Sequence, residues 1–181
     1  MGYAYPQPYL DFLAHFHGNR DFFECHEILE KYWKEHPDSP YPAVWAGLIQ
    51  AAVGMYHYRR DNRRGAMKSL AGALDKADPA ALPALGIDAP AWRAVLSETL
   101  KRLEAADYYR DIDIPLSDSK LEAMCRERCR ELGFEWLGKS RLDRPELVHR
   151  HTLRDRTGVI EERRQAMARR NGMRRSENEN R

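Results

Sequence analysis

No apolar run in this sequence approaches the ~20 residues that a membrane-crossing helix needs, so a transmembrane anchor is excluded. The first residues, MGYAYPQPYLDF, lack both a basic n-region and an apolar h-region, so they do not read as a secretory signal. Pro6 stands where an N-myristoylation signal requires Ser or Thr. Cysteine is scarce and odd in number, with three in 181 residues, which argues against a disulfide framework. A reduced, cytoplasmic setting follows. No internal repeat is present. Segments of strand period do not alternate with segments of helix period, which argues against a parallel α/β sheet. No aromatic residue follows Trp136, although single-strand nucleic-acid binders stack bases on aromatic rings.

What is present is helical period almost throughout. Tyr9, Phe12, Leu13 and Phe16 lie on one face of a helix that follows Pro8 and ends at Gly18-Asn19. Asp21 can cap a second helix, with Glu24 three residues later. Phe22, His26, Leu29 and Trp33 then form one stripe, and HPDSP breaks it. A third helix spans Pro42 to about Asp61, with Trp45, Leu48, Ala52, Met55 and Tyr56 on its apolar face. Its second stripe is Gly47, Gln50, Gly54 and His57. Glycines inside a helix cost about 1 kcal/mol each, so a closely approaching neighbour is expected there. A fourth helix covers Arg63 to Ala77, with Asn62 as its cap and Met67, Leu70 and Leu74 facing inward. A fifth runs from Pro90 to Tyr108 after a Pro-rich connector, capped by Asp88, and a sixth from Ser117 to Gly133. A seventh starts after Pro145. Between the fifth and sixth, RDIDIPLS alternates apolar and charged residues and suits a short extended segment. The fold class is therefore all-α: a compact bundle of about five to seven helices with a basic C-terminal helical extension. The expected organisation is a core over 1–108, an extension packed on it over 109–170, and a disordered basic tail over 171–181.

The net charge of +2 conceals an asymmetry. From Gly138 onward there are 13 Lys/Arg against 7 Asp/Glu. Nucleic acid is thus one candidate partner for the C-terminal arm, though the interspersed acids favour a solvated helix. Leu147, Leu153 and Val159-Ile160 read as contacts docking this stretch onto the bundle, and His149 and His151, two apart, point to different helix faces. Self-association is left open, and a membrane is not a partner. Arg59, Arg60, Arg63 and Arg64 surround Asn62 and read as a solvated basic turn, with anion binding at that helix start as the alternative. Cys125 and Cys129, four apart, read as small buried residues.

The chemistry concentrates in FECHEILEKYW, residues 23–33. His26 and Glu30 are four apart, so their side chains share a helix face. Imidazole and carboxylate suit a divalent transition metal such as Zn, Mn or Fe. A third ligand must come from a facing helix, and His57 is the best placed, because a short loop makes the second and third helices antiparallel neighbours. Gln50 and Glu27 come next. Glu27 follows His26 as the general base follows the first histidine of an HExxH zinc hydrolase. But the second histidine is missing, since the chain reads HEILE, and the zinc-protease reading fails. Trp33 reads as a pocket wall or as a core aromatic, with core preferred. The competing account needs no metal: His26, Glu30 and Gln50 satisfy one another as an internal polar network. No organic cofactor is indicated.

HEILEKYW, from His26 to Trp33, resembles the HxxxExxW motif of domain-of-unknown-function family 309, a prokaryotic helical family. DFFECHEILEKYW, GLIQAAVGMYHYRRDNRRGA and the Asn62, Gly65, Ala66 turn resemble that family's best-marked helices. The likeness runs from Phe12 to Leu74 and weakens through Leu103. It implies a helical fold and, because that motif has been suggested to bind metal, a metal at His26 and Glu30. It implies no catalytic residue, substrate or reaction, so a metal-dependent hydrolase, a helical scaffold and a nucleic-acid partner all stay open.

Overall fold

The computed structural model describes residues 4–149 together with 164, 165 and 167. Its contacts divide the chain into Met1–His149 and Arg150–Arg181, and the first unit is described below. Its helices are α1 (Gln7–His17), α2 (Phe22–Glu35), α3 (Pro42–Arg59), α4 (Arg63–Asp75), α5 (Ala89–Glu104), α6 (Ser119–Leu132) and the single turn α7 (Pro145–Val148). A 3₁₀ turn, Leu82–Leu85, lies in the Pro-rich connector. There is no strand among the described residues, only one isolated bridge between Ile87 and Leu116. The all-α reading is correct. Leu153, Val159, Ile160, His151 and the 171–181 tail, for which docking contacts, diverging histidines and disorder are expected, fall outside the described residues.

Local rules explain most helix starts. Asp21, Asn62 and Asp88 each accept the backbone N–H three residues on, from Glu24, Gly65 and Ala91 at 3.0–3.1 Å. In α1 the four stripe residues Tyr9, Phe12, Leu13 and Phe16 are wholly buried. The α1 turn closes differently from expectation. Gly18 is not left-handed; Arg20 is, at φ 57°. Gly18 is there for space, because an added Cβ would sit 2.6 Å from the Ala14 carbonyl and 2.9 Å from Phe134 Cβ. Helix α5 stops at Glu104 rather than Tyr108, because Ala106 turns left-handed at φ 58° and the Asp107 N–H returns to the Arg102 carbonyl.

Helix α3 is the centre of the bundle, packed against α2 on one side and α4 on another. Of its 18 residues 12 are buried, and it is apolar nearly all round, as a central helix must be. Its glycine stripe does admit a close neighbour, but that neighbour is α4. A Cβ on Gly54 would lie 2.6 Å from Leu70 Cγ, and one on Gly47 would lie 3.0 Å from Lys76 Cβ. The reciprocal gap is Gly72 on α4, where a Cβ would meet Gln50 Oε1 at 2.5 Å.

After α5 the chain runs extended. Ile112 and Ile114 are buried while Asp113 between them is exposed, which is the alternation read in RDIDIPLS. The segment is fixed by Asp88 N–H to Pro115 O and Ser117 N–H to Gly86 O. Helix α6 then packs on α1, with Cys125 and Cys129 buried as expected and Arg128 paired to Asp11 at 2.6 Å. Gly133, left-handed at φ 77°, ends it, and the Phe134 N–H returns to Cys129 O.

Candidate functional site

The α2 cluster is an ion-pair ladder. His26 Nε2 lies 2.8 Å from Glu30 Oε2, and His26 Nδ1 lies 3.3 Å from Glu27 Oε1. The other Glu30 oxygen takes Lys34 Nζ at 2.6 Å. The i, i+4 spacing of these three residues places them along one strip of the helix. The pair is not deeply buried: the His26 and Glu30 side chains are 29% and 30% exposed. Next to it, Phe23 packs on Tyr56 of α3 with ring centroids 6.1 Å apart. Trp33 is partly buried and packs against the core.

The other residues proposed for this site are engaged elsewhere. Asn62 Nδ2 donates to His57 Nδ1 at 3.1 Å, so that ring nitrogen carries a lone pair rather than a proton. Burial, and then the Arg60 charge, lowers the His57 pKa below its ordinary value. Asn62 thus caps α4 and orients His57 at once. Gln50 Oε1 accepts from Lys76 Nζ at 3.1 Å, on the α4 side of α3. The structure therefore brings together His26, Glu27 and Glu30. It puts His57 with Asn62, and Gln50 with Lys76. Among the described residues, no group of three or more His, Cys, Asp or Glu side chains is placed to hold one metal ion. His26, Glu30 and His57 are therefore not such a group among the described residues.

The most elaborate polar chemistry lies where sequence reading did not look. Arg59, read as part of a solvated basic turn, is 7% exposed. Its Nη1 donates to the Arg20 carbonyl at 2.7 Å and to Ser140 Oγ at 3.2 Å, and Nη2 donates to the Leu147 carbonyl at 3.2 Å. The guanidinium stands 4.8 Å over the Phe22 ring. Arg20 is also buried, pairs with Asp113 at 2.8 Å and donates to the carbonyls of Phe16, Ile112 and Gly138. Asp111 accepts from Ser140 N–H and Oγ–H and from the Tyr109 hydroxyl. Burial pushes the Asp111 carboxyl up, but these hydrogen bonds outweigh it and hold it below its ordinary value. Burial raises the Tyr109 phenol far above its ordinary range, and the Asp111 charge adds to this.

His17 completes the set. It is fully buried on α1, donates from Nδ1 to Leu13 O at 2.9 Å and accepts the Ile114 N–H on Nε2 at 2.9 Å. Burial lowers its pKa to about 4, so it is neutral near pH 7. Its sequence signal was slight: a histidine directly after the last stripe residue of α1.

Residues 9–69 match the family model described as "Domain of unknown function (DUF309)". The chain is also 41% identical, over 168 residues, to "Uncharacterized protein YpuF" of Bacillus subtilis (strain 168), an alignment covering 92% of this chain and 97% of the relative. The chain belongs to the DUF309 family. The matched stretch takes in α2 with His26 and Glu30, α3 with Gln50 and His57, and the Asn62 cap. No solved structure matches the chain. Among the described residues no helix is long and apolar enough to cross a membrane.

Proposed function

We propose that this DUF309 chain is a helical scaffold or interaction protein in which His26 and Glu30 form a structural polar pair. One observation carries the reading: each side chain offered as a ligand is satisfied within the chain. His26 is flanked by Glu27 and Glu30, Glu30 by Lys34, His57 by Asn62, and Gln50 by Lys76. A metal site needs three or four donor atoms converging on one point, and these side chains turn to different partners. The three cysteines are free and buried, which supports a reducing, cytoplasmic setting. The test is thermal melting of untagged wild type and His26→Ala with and without Zn²⁺ or Mn²⁺. This reading expects a lower midpoint for the variant and no rise on adding metal; a metal-dependent rise in the wild type alone overturns it.

A second reading is favoured by the openness of the same pair. His26 Nε2 and Glu30 Oε2 are 2.8 Å apart and about a third exposed, so a divalent cation can replace the shared proton and keep waters in its remaining positions. Glu27 would then be the neighbouring carboxylate of a metal-dependent hydrolase. Metal analysis of untagged protein decides it: stoichiometric metal lost in His26→Ala supports this reading, and substoichiometric metal unchanged by the substitution removes it.

A further inference from the structure

A cleft of about 170 Å³ opens between the extended 113–116 segment, the start of α6 and the turn at 136–137. None of its lining residues belongs to α2. His17, Asp113, Ile114, Glu122, Trp136 and Leu137 line it, and no Lys or Arg does. Two side chains pack against its aromatic wall. The His17 ring lies 4.8 Å from the Trp136 ring, and the Arg126 guanidinium stands over Trp136 at 5.6 Å. His17 adds no charge, because its Nδ1–H is spent on Leu13 and its Nε2 lone pair on Ile114.

The Asp113 and Glu122 side chains are 52% and 40% exposed, and each gives one oxygen to an arginine. Asp113 meets Arg20 through Oδ1, and Glu122 takes both Arg126 bonds, at 2.6 and 2.9 Å, on Oε1. No hydrogen bond reaches Asp113 Oδ2 or Glu122 Oε2 among the described residues. A carboxylate oxygen in that state is a strong acceptor for a charged N–H donor. A concave surface with an aromatic wall and a few polar groups can hold a small molecule. We propose that this cleft binds a small organic ammonium ion, with its apolar body against Trp136, Ile114 and Leu137 and its N–H donors on Asp113 and Glu122. Arg126 is the internal competitor, since it already lays a cation on Trp136 and occupies one oxygen of Glu122.

The test is a titration of phenethylammonium chloride into the ¹⁵N-labelled full chain, following the Trp136 indole N–H, which Trp136→Phe identifies. The site predicts a saturable shift with a dissociation constant on the order of a millimolar or tighter. Glu122→Gln weakens binding about tenfold, the scale of one charge-assisted hydrogen bond. Arg126→Gln tightens it, because the competitor is gone. 2-Phenylethanol and 3-phenylpropionate shift the signal little. The opposite signs expected of two adjacent side chains on α6 separate a binding role from a structural one. No saturable shift, an equal response to the alcohol, or the same constant in both variants would overturn the proposal.

Discussion

Arg59 Nη1 donates to the backbone carbonyl of Arg20 at 2.7 Å, so the C-terminal end of α3 closes the left-handed turn between α1 and α2. The same guanidinium holds Ser140 and Leu147, residues far along the chain. Arg59→Ala takes the guanidinium from the Arg20 and Leu147 carbonyls, the first of which keeps the Phe22 N–H at 3.0 Å, and removes the cation over Phe22. The expected loss is about 2–4 kcal/mol, read as a lower urea midpoint. A loss under about 1 kcal/mol would mean that water substitutes for the guanidinium.

The α3–α4 contact makes an ordered prediction. Gly54→Ala drives a methyl to 2.6 Å from Leu70 Cγ and 3.2 Å from the Leu70 backbone nitrogen. Overpacking of this kind costs about 1–3 kcal/mol, against about 1 kcal/mol gained in helix propensity. Gly47→Ala meets Lys76 Cβ at 3.0 Å and the Ala73 carbonyl at 3.5 Å, a looser fit, and is expected to cost less. Denaturation that ranks Gly47→Ala as the more harmful would place the close approach elsewhere.

His17 sets a dependence on acid. Its pKa falls from an ordinary 6.5 to about 4 on folding, through burial, so the unfolded chain binds the proton more tightly. The stability from keeping it neutral is fully present above pH 6.5 and is lost as pH falls toward 4. The size is about 3 kcal/mol, given 1.36 kcal/mol per pKa unit. Stability measured between pH 7 and pH 4 should fall more steeply in wild type than in His17→Gln. Parallel curves would mean that other groups carry the acid sensitivity.

On α2, Glu30→Gln removes the charge that both His26 and Lys34 meet. These groups are partly solvated, so the expected loss of stability is within about 1 kcal/mol. Added salt should weaken the wild type slightly and the variant less. A loss of several kcal/mol would mark the pair as structurally buried in solution.

Particular residues show where sequence reading succeeds and why it stops. The α1 stripe and the caps Asp21, Asn62 and Asp88 were legible, because each depends on residues within one or two turns. The glycine stripe of α3 was legible as a close approach, but its partner was not. Helical phase fixes which residues share a face and says nothing of which neighbour covers it. Expected to face α2, Gly54 and Gln50 meet α4 instead, and His57 pairs with the α4 cap Asn62. Arg59 is the first residue of the basic run RRDNRR, residues 59–64, so its inward turn had no local sign. Its partners lie at 20, 140 and 147, separations that no periodicity encodes. The cleft was hidden for the same reason, since His17, Asp113 and Trp136 come from three distant segments.

The two inward-pointing arginines bear on how this chain can be dissected. The stretch matched by the family model, 9–69, holds Arg20, Arg59, His17 and Tyr9, but their partners Asp113, Ser140, Ile114 and Leu85 all lie beyond it. Excised, that stretch would open to solvent the apolar surface that α5 and α6 cover and strand several polar groups. A fragment for biophysical work should therefore extend through His149, the end of the contact unit that holds these partners.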